Sequence, residues 1–178
     1  MSEKRKRSIK KLSNTGMNVI LVTGANLDKY VDIEQLHPAY EHLNLAHRAD
    51  YLRAYFMHHY GGGYSDVKPI SESWVPSIQK LEDSSDHWAV GYREINRHGV
   101  GNIYKSSVQT KMPLMSRSVD YVRWRWLQLN YKSTIGNCAF AFKPGTPLTQ
   151  SWWSELNKRL DYSQRDLERS PAISPKDR

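Results

Sequence analysis

The sequence predicts a single α/β domain in which helices flank a mixed, mostly parallel sheet. Three observations support this class: apolar strand-like runs, helical periodicity between them, and glycine or proline at the boundaries. With 178 residues, the chain is long enough for one domain with a hydrophobic core. We expect that domain at residues 14–160, between a basic tail at 1–13 and a polar C-terminal tail at 161–178 that frays.

The elements follow from local patterns. Met17–Thr23 is a continuous apolar run, typical of a strand that is buried on both faces in a parallel sheet. Apolar spacing predicts a helix over Leu45–Tyr60, and Gly61 ends it because glycine adopts the left-handed C-cap conformation without steric cost. The remaining predicted elements are strands at Tyr64–Val67, His87–Tyr92 and Cys138–Lys143 and a helix at Pro147–Leu160.

The net charge of +8 is concentrated at the N-terminus. Six basic residues and one acid in the first eleven give +5, which leaves only +3 for residues 12–178. This placement favours a solvated tail over a nuclear-import patch or a segment that binds phosphates or anionic membrane. Because the body is nearly balanced, we expect no specific nucleic-acid binding, although a basic nucleic-acid-binding module is retained as an alternative.

Cysteine content and hydropathy bound the location of the protein. Cys138 is the only cysteine, so no intramolecular disulfide can form and a disulfide-stapled secreted scaffold is excluded. No apolar run reaches the roughly 18–20 residues that span a bilayer, and the N-terminus lacks the apolar core of a signal peptide. The sequence therefore predicts a cytoplasmic protein without a transmembrane segment.

A dehydrogenase interpretation is rejected on spacing. The segment after Met17–Thr23 begins with Gly24, and Tyr64 and Lys68 have the spacing of a catalytic Tyr/Lys pair. A dinucleotide fingerprint needs further glycines there so that the backbone can approach a pyrophosphate, but Asp28 and Tyr30 stand in those places. The Tyr/Lys pair also follows too soon for the strands and helices of that fold.

The most specific feature is an acid and a guanidinium on one helix, followed by an acidic strand end. Asp50 and Arg53 are three residues apart, so they share a face of the predicted helix. Asp66 follows after three glycines that turn the chain back toward the sheet. A structural ion pair explains Asp50 and Arg53 alone, whereas the addition of Asp66 favours a site that binds a sugar hydroxyl and a diphosphate.

These residues resemble a known family. Ala49–Arg53 (ADYLR) and Tyr60–Lys68 (YGGGYSDVK) are similar to the motifs of the DXD-type glycosyltransferases, within the capsular polysaccharide synthesis group. Further similarity extends over Ile135–Phe140 and Lys143–Thr149, so that the resemblance covers residues 14–160. Met17–Thr23 matches the second strand of that scheme, which implies a shortened member of the family.

The resemblance implies a GT-A-like fold, a nucleotide-sugar donor and a glycan or polysaccharide acceptor. Asp50 and Arg53 would bind donor-sugar hydroxyls, and Asp66 would act at the diphosphate as a catalytic residue. Charged hydrogen-bonding groups suit such a ligand because their bonds are about twice as strong as neutral ones. The other candidates are Tyr64, Lys68 and Asn137 for donor binding and Glu94 as a catalytic or acceptor-binding carboxylate.

Lys68 departs from the family pattern, because the second aspartate of the motif would stand there. Two aspartates normally hold Mn²⁺ or Mg²⁺. Either Lys68 itself supplies positive charge at the diphosphate, or it points away and Asp66 holds a metal with a later residue. We expect bound metal at Asp66 on family grounds. A catalytically impaired remnant that binds sugar or a partner is the alternative to an active transferase.

One further segment mixes aromatic residues with arginines. Tyr121–Tyr131 (YVRWRWLQLNY) could stack on sugars or nucleic-acid bases. Helical packing of Val122, Trp126 and Leu129 into the core explains the same pattern without a ligand, and we favour that interpretation.

Overall fold

The described part of the chain, residues 2–103 and 114–171 of a computed structural model, is 56% helical. Its helices are α1 (Glu3–Leu12), α2 (Leu45–His59), α3 (Val75–Asp83), α4 (Leu114–Leu129) and α5 (Pro147–Arg169). Its strands are β1 (Gly62–Ser65), β2 (Ala89–Arg93) and β3 (Ile135–Phe142). Short 3-10 turns lie at 13–15, 27–29, 33–35, 38–42 and 131–133.

The sheet is antiparallel, which makes the predicted mostly parallel, GT-A-like sheet wrong. The strand order is β1-β3-β2, and β3 pairs antiparallel with both neighbours. Helices cover both faces of this sheet, so β3 is apolar and buried over residues 139–142 although both of its neighbouring strands are antiparallel to it. A run that is buried on both faces does not distinguish the two sheet types, and this is why the sequence pattern misled.

The predicted first strand, Met17–Thr23, is also wrong. In the structure this segment is irregular and exposed, with Val19, Ile20 and Leu21 all more than 40% accessible. Its β-branched composition therefore reflects strand propensity without a pairing partner among the described residues. Propensity is a weak determinant when no neighbouring strand supplies the ladder of hydrogen bonds.

The core has three layers around β3. On one face, Phe140 and Phe142 pack with Met57 of α2 and Trp152 of α5. On the other face, Ala141 packs with Ile78 and Leu81 of α3. Alternation of aromatic and small side chains along β3 thus assigns two helices to one side and one helix to the other.

Helix α2 confirms the sequence prediction closely. The Asn44 side chain caps its first turn by accepting the His47 N–H at 2.9 Å. Gly61 follows the end of the helix with φ of 66°, and its N–H donates to Phe56 O at 2.9 Å. The predicted glycine stop is therefore confirmed. Beyond it, β1 runs into the sheet beside β3.

Both predicted tails are helical where they are described. α1 buries Ser8 and Leu12 and exposes its basic residues. α5 continues to Arg169, nine residues beyond the predicted helix end, because Leu167 adds one more apolar contact to the cluster around Leu160. Expecting a frayed chain after Asp161 was therefore wrong up to Arg169, and residues 172–178 lie outside the described part.

The predicted helical character of Tyr121–Tyr131 is confirmed for the residues that lie in α4. The packing prediction for this helix is wrong, since Val122, Trp126 and Leu129 are each at least 60% exposed.

Candidate functional site

Arg53 is a buried guanidinium at the centre of a group of charged side chains. It lies on α2, and only 8% of its side chain is accessible. One turn earlier, Asp50 places its carboxylate Oδ1 at 3.1 Å from Arg53 Nη2, and its own side chain is 53% accessible. The pair therefore runs from the buried side of the helix to solvent, as the spacing of three residues predicts.

The rest of the guanidinium binds the sheet. Nη1 donates to the backbone carbonyl of Asn137 at 3.0 Å, and Nη2 donates to the hydroxyl of Tyr64 at 3.0 Å. The guanidinium carbon also lies 4.3 Å from the centroid of the Tyr64 ring. Arg53 Nε is buried and has no hydrogen-bond partner in the described structure. Arg53 thus connects α2 to both β1 and β3.

Asp66 lies just beyond β1 and receives several contacts. Its N–H donates to Cys138 O at 2.8 Å, which extends the pairing with β3 by one residue. Its Oδ1 accepts the Tyr64 hydroxyl at 2.9 Å and lies 4.0 Å from Arg53 Nη2. Its Oδ2 lies 3.1 Å from the ammonium Nζ of Lys68. The carboxylate is one-third accessible, so it faces both protein and solvent.

The protonation of two groups follows from this environment. Burial raises the pKa of the Tyr64 phenol, against the opposing effect of the Arg53 guanidinium. Hydrogen bonding to the Asp66 carboxylate, with its negative charge, raises the pKa of Lys68. At neutral pH, Tyr64 is therefore a neutral hydroxyl that can donate to Asp66, and Lys68 is a charged ammonium.

Two glycines set the path from α2 to this strand. Gly61 and Gly62 both have positive φ, at 66° and 80°. A Cβ on Gly61 would lie 2.6 Å from Pro144 Cδ and 2.8 Å from Phe142 O, whereas one on Gly62 would meet open space. Gly61 is thus required for its conformation and for the close approach of the loop after β3.

The structure brings most of the predicted site together. We call Asp50, Arg53, Tyr64, Asp66 and Lys68 the Arg53 cluster. Asn137 contributes its backbone carbonyl, while its side chain is exposed.

Glu94 does not belong to the Arg53 cluster. Its N–H donates to Thr134 O, and its Oε1 accepts the Ile95 N–H at 2.9 Å. The carboxylate packs so closely on Gly99 that a Cβ there would lie 2.2 Å from Oε1. Glu94 and Asp66 are at the same end of the sheet, separated by β3. Among the described hydrogen bonds and ion pairs, Glu94 is therefore joined to loop residues and to none of the other predicted site residues.

The Arg53 cluster alone supplies few ligands for the divalent cation predicted at Asp66. Mg²⁺ takes about six oxygen ligands, of which waters and substrate phosphates can supply several. The Lys68 ammonium occupies the solvent side of Asp66 and would repel a cation at Oδ2. In the residues that the structure describes, no group of three or more His, Cys, Asp or Glu side chains is arranged to hold a metal ion.

Comparison with known proteins gives no relative. No protein-family model, no curated protein and no solved structure matches this chain. The resemblance to the DXD-type glycosyltransferases therefore depends on the motif residues themselves. Within the described residues, the chain also contains no helix that is long and apolar enough to cross a membrane.

Two cavities lie away from the Arg53 cluster. One of about 150 Å³ is lined in part by Trp74, Ile78, Gly91 and Phe140, and a shallow one of about 530 Å³ lies along α3 near His87. Neither is lined by a cluster residue. The cluster itself reaches solvent through Asp50 and Lys68. A ligand would therefore bind on the surface above it.

The sequence did not reveal two features of the site. The carbonyl of Asn137 holds Arg53 across 84 positions of sequence, and a backbone acceptor carries no residue-type signal. The bridging role of the Tyr64 hydroxyl, between Arg53 and Asp66, was also not predicted. Its signal was the spacing of two residues to Asp66, which places both side chains on one face of an extended segment.

Proposed function

We propose that the protein binds a nucleotide-sugar donor at the Arg53 cluster and transfers its hexose to a hydroxyl of a glycan or polysaccharide. The observation that carries this proposal is the convergence of Asp50, Arg53 and Asp66. They come from a helix and from a strand end beyond a glycine hinge, and they are joined by ion pairs and by the Tyr64 hydroxyl, which hydrogen-bonds to both Arg53 and Asp66. The motif resemblance, which rests on the same residues, suggests a sugar-diphosphate ligand.

The proposed roles follow from accessibility. Asp50 is half exposed and Asp66 one-third exposed, so their carboxylate oxygens can accept hydrogen bonds from sugar hydroxyls. Lys68 is 63% exposed and charged, and its ammonium can bind the diphosphate. Arg53 is buried and already bonded to protein groups, so it serves as a positioning residue that orients the two carboxylates.

In the proposed reaction, the bond between the anomeric carbon and the diphosphate oxygen breaks, and the acceptor oxygen bonds to that carbon. Lys68 stabilises the negative charge that develops on the leaving nucleoside diphosphate. The acceptor proton passes to an oxygen of the leaving diphosphate. In this scheme the Lys68 ammonium takes the place of the divalent cation that usually assists departure of the nucleoside diphosphate. No step requires Glu94.

A second candidate function is a module that binds a sugar or a partner without turnover. It is favoured by the pairing of Lys68 with Asp66, which leaves the carboxylate fewer free lone pairs for substrate. The location of Glu94 outside the cluster also favours it. Thermal stabilisation by a nucleotide sugar that is not consumed would identify this function.

The test is a panel of nucleotide sugars, assayed for release of nucleoside diphosphate with wild type, Asp66→Ala and Asp28→Ala. Asp28 is an exposed acid in a 3-10 turn and serves as a matched control. We expect turnover of at least one donor by wild type and Asp28→Ala, and at least a 100-fold loss in Asp66→Ala with unchanged circular dichroism. An active Asp66→Ala would refute the site.

The role of Lys68 is tested with the same assay. If its ammonium replaces the metal, turnover should persist in excess EDTA and should fall in Lys68→Ala. Lys29→Ala is the control, because Lys29 is an exposed lysine on a turn outside the cluster. Loss of activity in EDTA, restored by Mn²⁺, would instead establish a metal-dependent enzyme.

A further inference from the structure

Helix α4 presents its apolar side to solvent. Its apolar residues recur at intervals of four and three, which places them on one stripe of an α-helix. Their accessible fractions range from 51% to 80%. We call this stripe the α4 apolar face; it consists of Met115, Val119, Val122, Trp126 and Leu129.

The opposite side of α4 faces the protein and carries the buried Asp120 together with the partly buried Trp124 and Leu127. Asp120 is buried there, with its carboxylate oxygens 3.6 Å from Arg123 Nη1 and 3.7 Å from Arg159 Nη2 of α5. Gln128 Nε2 donates to Arg97 O at 3.4 Å. Helix α4 therefore leaves its five-residue apolar stripe in solvent, whereas the apolar stripe of a surface helix normally packs on a core. An exposed contiguous apolar stripe of this kind marks an interaction surface.

Positive charge lies on both sides of the stripe. With about 100° between successive residues, Arg123 and Arg125 lie about 80° to either side of its centre. Asp120 is the one acid of α4, and it is buried against the protein. The solvent side of the helix therefore combines an apolar stripe, a tryptophan and flanking guanidinium groups, with no exposed carboxylate.

We propose that the α4 apolar face binds an anionic lipid bilayer, with α4 lying in the plane of the interface. Interfacial helices have this composition, with tryptophan and aliphatic residues on one face and basic residues beside them. Arg123 and Arg125 can extend their side chains to lipid phosphates while the stripe enters the acyl boundary. Residues 12–178 carry a net charge of +3, which adds attraction to an anionic surface.

The same observations disfavour pairing of α4 with a second copy. The stripe is about 21 Å long, which is two heptads, and a stable coiled coil requires three or four. In such a pair, Arg123 and Arg125 would occupy the flanking positions of both helices and repel each other. An anionic lipid surface avoids both problems. It does not require a long stripe in register with a partner, and it supplies negative charge next to Arg123 and Arg125.

The experiment is sedimentation with vesicles of phosphatidylcholine that contain 30% phosphatidylserine, compared with pure phosphatidylcholine, at 0.1 M salt. We expect wild type to bind the anionic vesicles at least ten-fold more strongly. Val122→Glu should reduce binding at least ten-fold because it places a carboxylate in the stripe. Arg125→Gln should reduce it about five-fold, the effect of one basic residue near such a surface.

The matched control is Ile95→Glu. Ile95 is 88% exposed on a loop, so this variant has the same change in charge and apolar area outside the stripe, and we expect it to bind as wild type does. Equal loss in both glutamate variants would mean that general charge, including that of α1, drives binding, and would overturn the proposal. It would be overturned equally by absence of vesicle binding, or by a wild-type dimer that Val122→Glu dissociates in sedimentation velocity. Circular dichroism confirms that each variant is folded.

Discussion

The Arg53 cluster and helix α4 depart from ordinary burial in opposite directions. In the cluster, a guanidinium is 92% removed from solvent and is bonded to groups on α2, β1 and β3. In α4, five apolar side chains are more than half exposed, and a buried aspartate faces the protein. Buried charge is costly unless it is paired, and exposed apolar surface is costly unless something covers it.

The two regions differ in where the buried guanidinium and the exposed apolar side chains find their binding partners. Arg53 finds its partners within the chain, so the protein alone stabilises the cluster. The α4 apolar face finds none among the described residues, so its counterpart is expected outside. Substitutions in the two regions should therefore affect different properties, namely the free energy of unfolding for the cluster and association for α4.

Among substitutions in these two regions, Arg53→Ala should have the largest effect on stability. It removes the positive charge from a site where Asp66, Tyr64 and the Asn137 carbonyl depend on it, and breaking a buried pair costs about 3–5 kcal/mol. We expect a loss near 3 kcal/mol in the free energy of unfolding, measured by urea denaturation, because Asp50 and Asp66 can rehydrate. Arg53→Lys keeps the positive charge but not the planar set of guanidinium donors. If it loses as much free energy of unfolding as Arg53→Ala does, the planar geometry is essential.

Gly61→Ala should follow, with a loss of more than about 2 kcal/mol. A left-handed conformation costs a non-glycine residue about 1–2 kcal/mol, and the new Cβ would clash with Pro144 and the Phe142 carbonyl. Gly62→Ala is the control. Gly62 has the same left-handed backbone conformation, but a Cβ there would meet open space, so this variant should lose only about 1–2 kcal/mol. Equal losses in urea denaturation would show that the close approach contributes nothing.

Tyr64→Phe should lose about 1–2 kcal/mol at pH 7, since two hydrogen bonds of the hydroxyl are removed. Burial raises the pKa of the Tyr64 hydroxyl above its value in the unfolded chain. Above pH 10 the unfolded chain therefore loses this proton before the folded state does, and the free energy of unfolding falls. That contribution to stability is present below pH 10 and is lost as pH rises through the folded pKa.

The pH dependence separates Tyr64 from the other tyrosines. Wild type should lose more stability between pH 9 and pH 11 than Tyr64→Phe does, as measured by urea denaturation at each pH. Identical losses in the two proteins would mean that the hydroxyl of Tyr64 titrates as it does in the unfolded chain.

Leu129→Ala should have the smallest effect on stability, within about 0.5 kcal/mol, because its side chain is already 78% exposed. Leu160→Ala is the contrasting variant. Leu160 is 8% exposed and packs in a hydrophobic core cluster with Tyr51 and Leu43, so its truncation should cost about 2–5 kcal/mol of the free energy of unfolding. A large loss for Leu129→Ala in thermal unfolding would show that the α4 apolar face packs within the chain.

The sequence predicted the local geometry of the site well. Helix α2, the glycine stop at Gly61 and the short strand beyond it all depend on nearest-neighbour effects, namely periodicity, capping and backbone freedom. Asp50, Arg53 and Asp66 meet because those effects fix their positions relative to one another. Only about twenty consecutive residues determine the core of the cluster.

The relative direction of the strands and the orientation of α4 could not be predicted from such local patterns. Met17–Thr23 has strand composition but no pairing partner in the described structure, and the apolar run of β3 reflects two covered faces rather than a parallel neighbour. The periodicity of α4 correctly predicted a helix with an apolar side. It could not show that this side points outward, because orientation depends on Asp120 and Arg159, which are 39 positions apart.

The central strand of the sheet is the last of the three to leave the ribosome. β2 ends at Arg93 and β3 begins at Ile135, so both outer strands, once β2 is complete, wait for about forty residues of further synthesis. At roughly 5–20 residues per second, this interval lasts about 2–8 s, during which their backbone groups can pair with other nascent chains. β1 has only four residues, two of them glycine, and so offers little template for such mispairing.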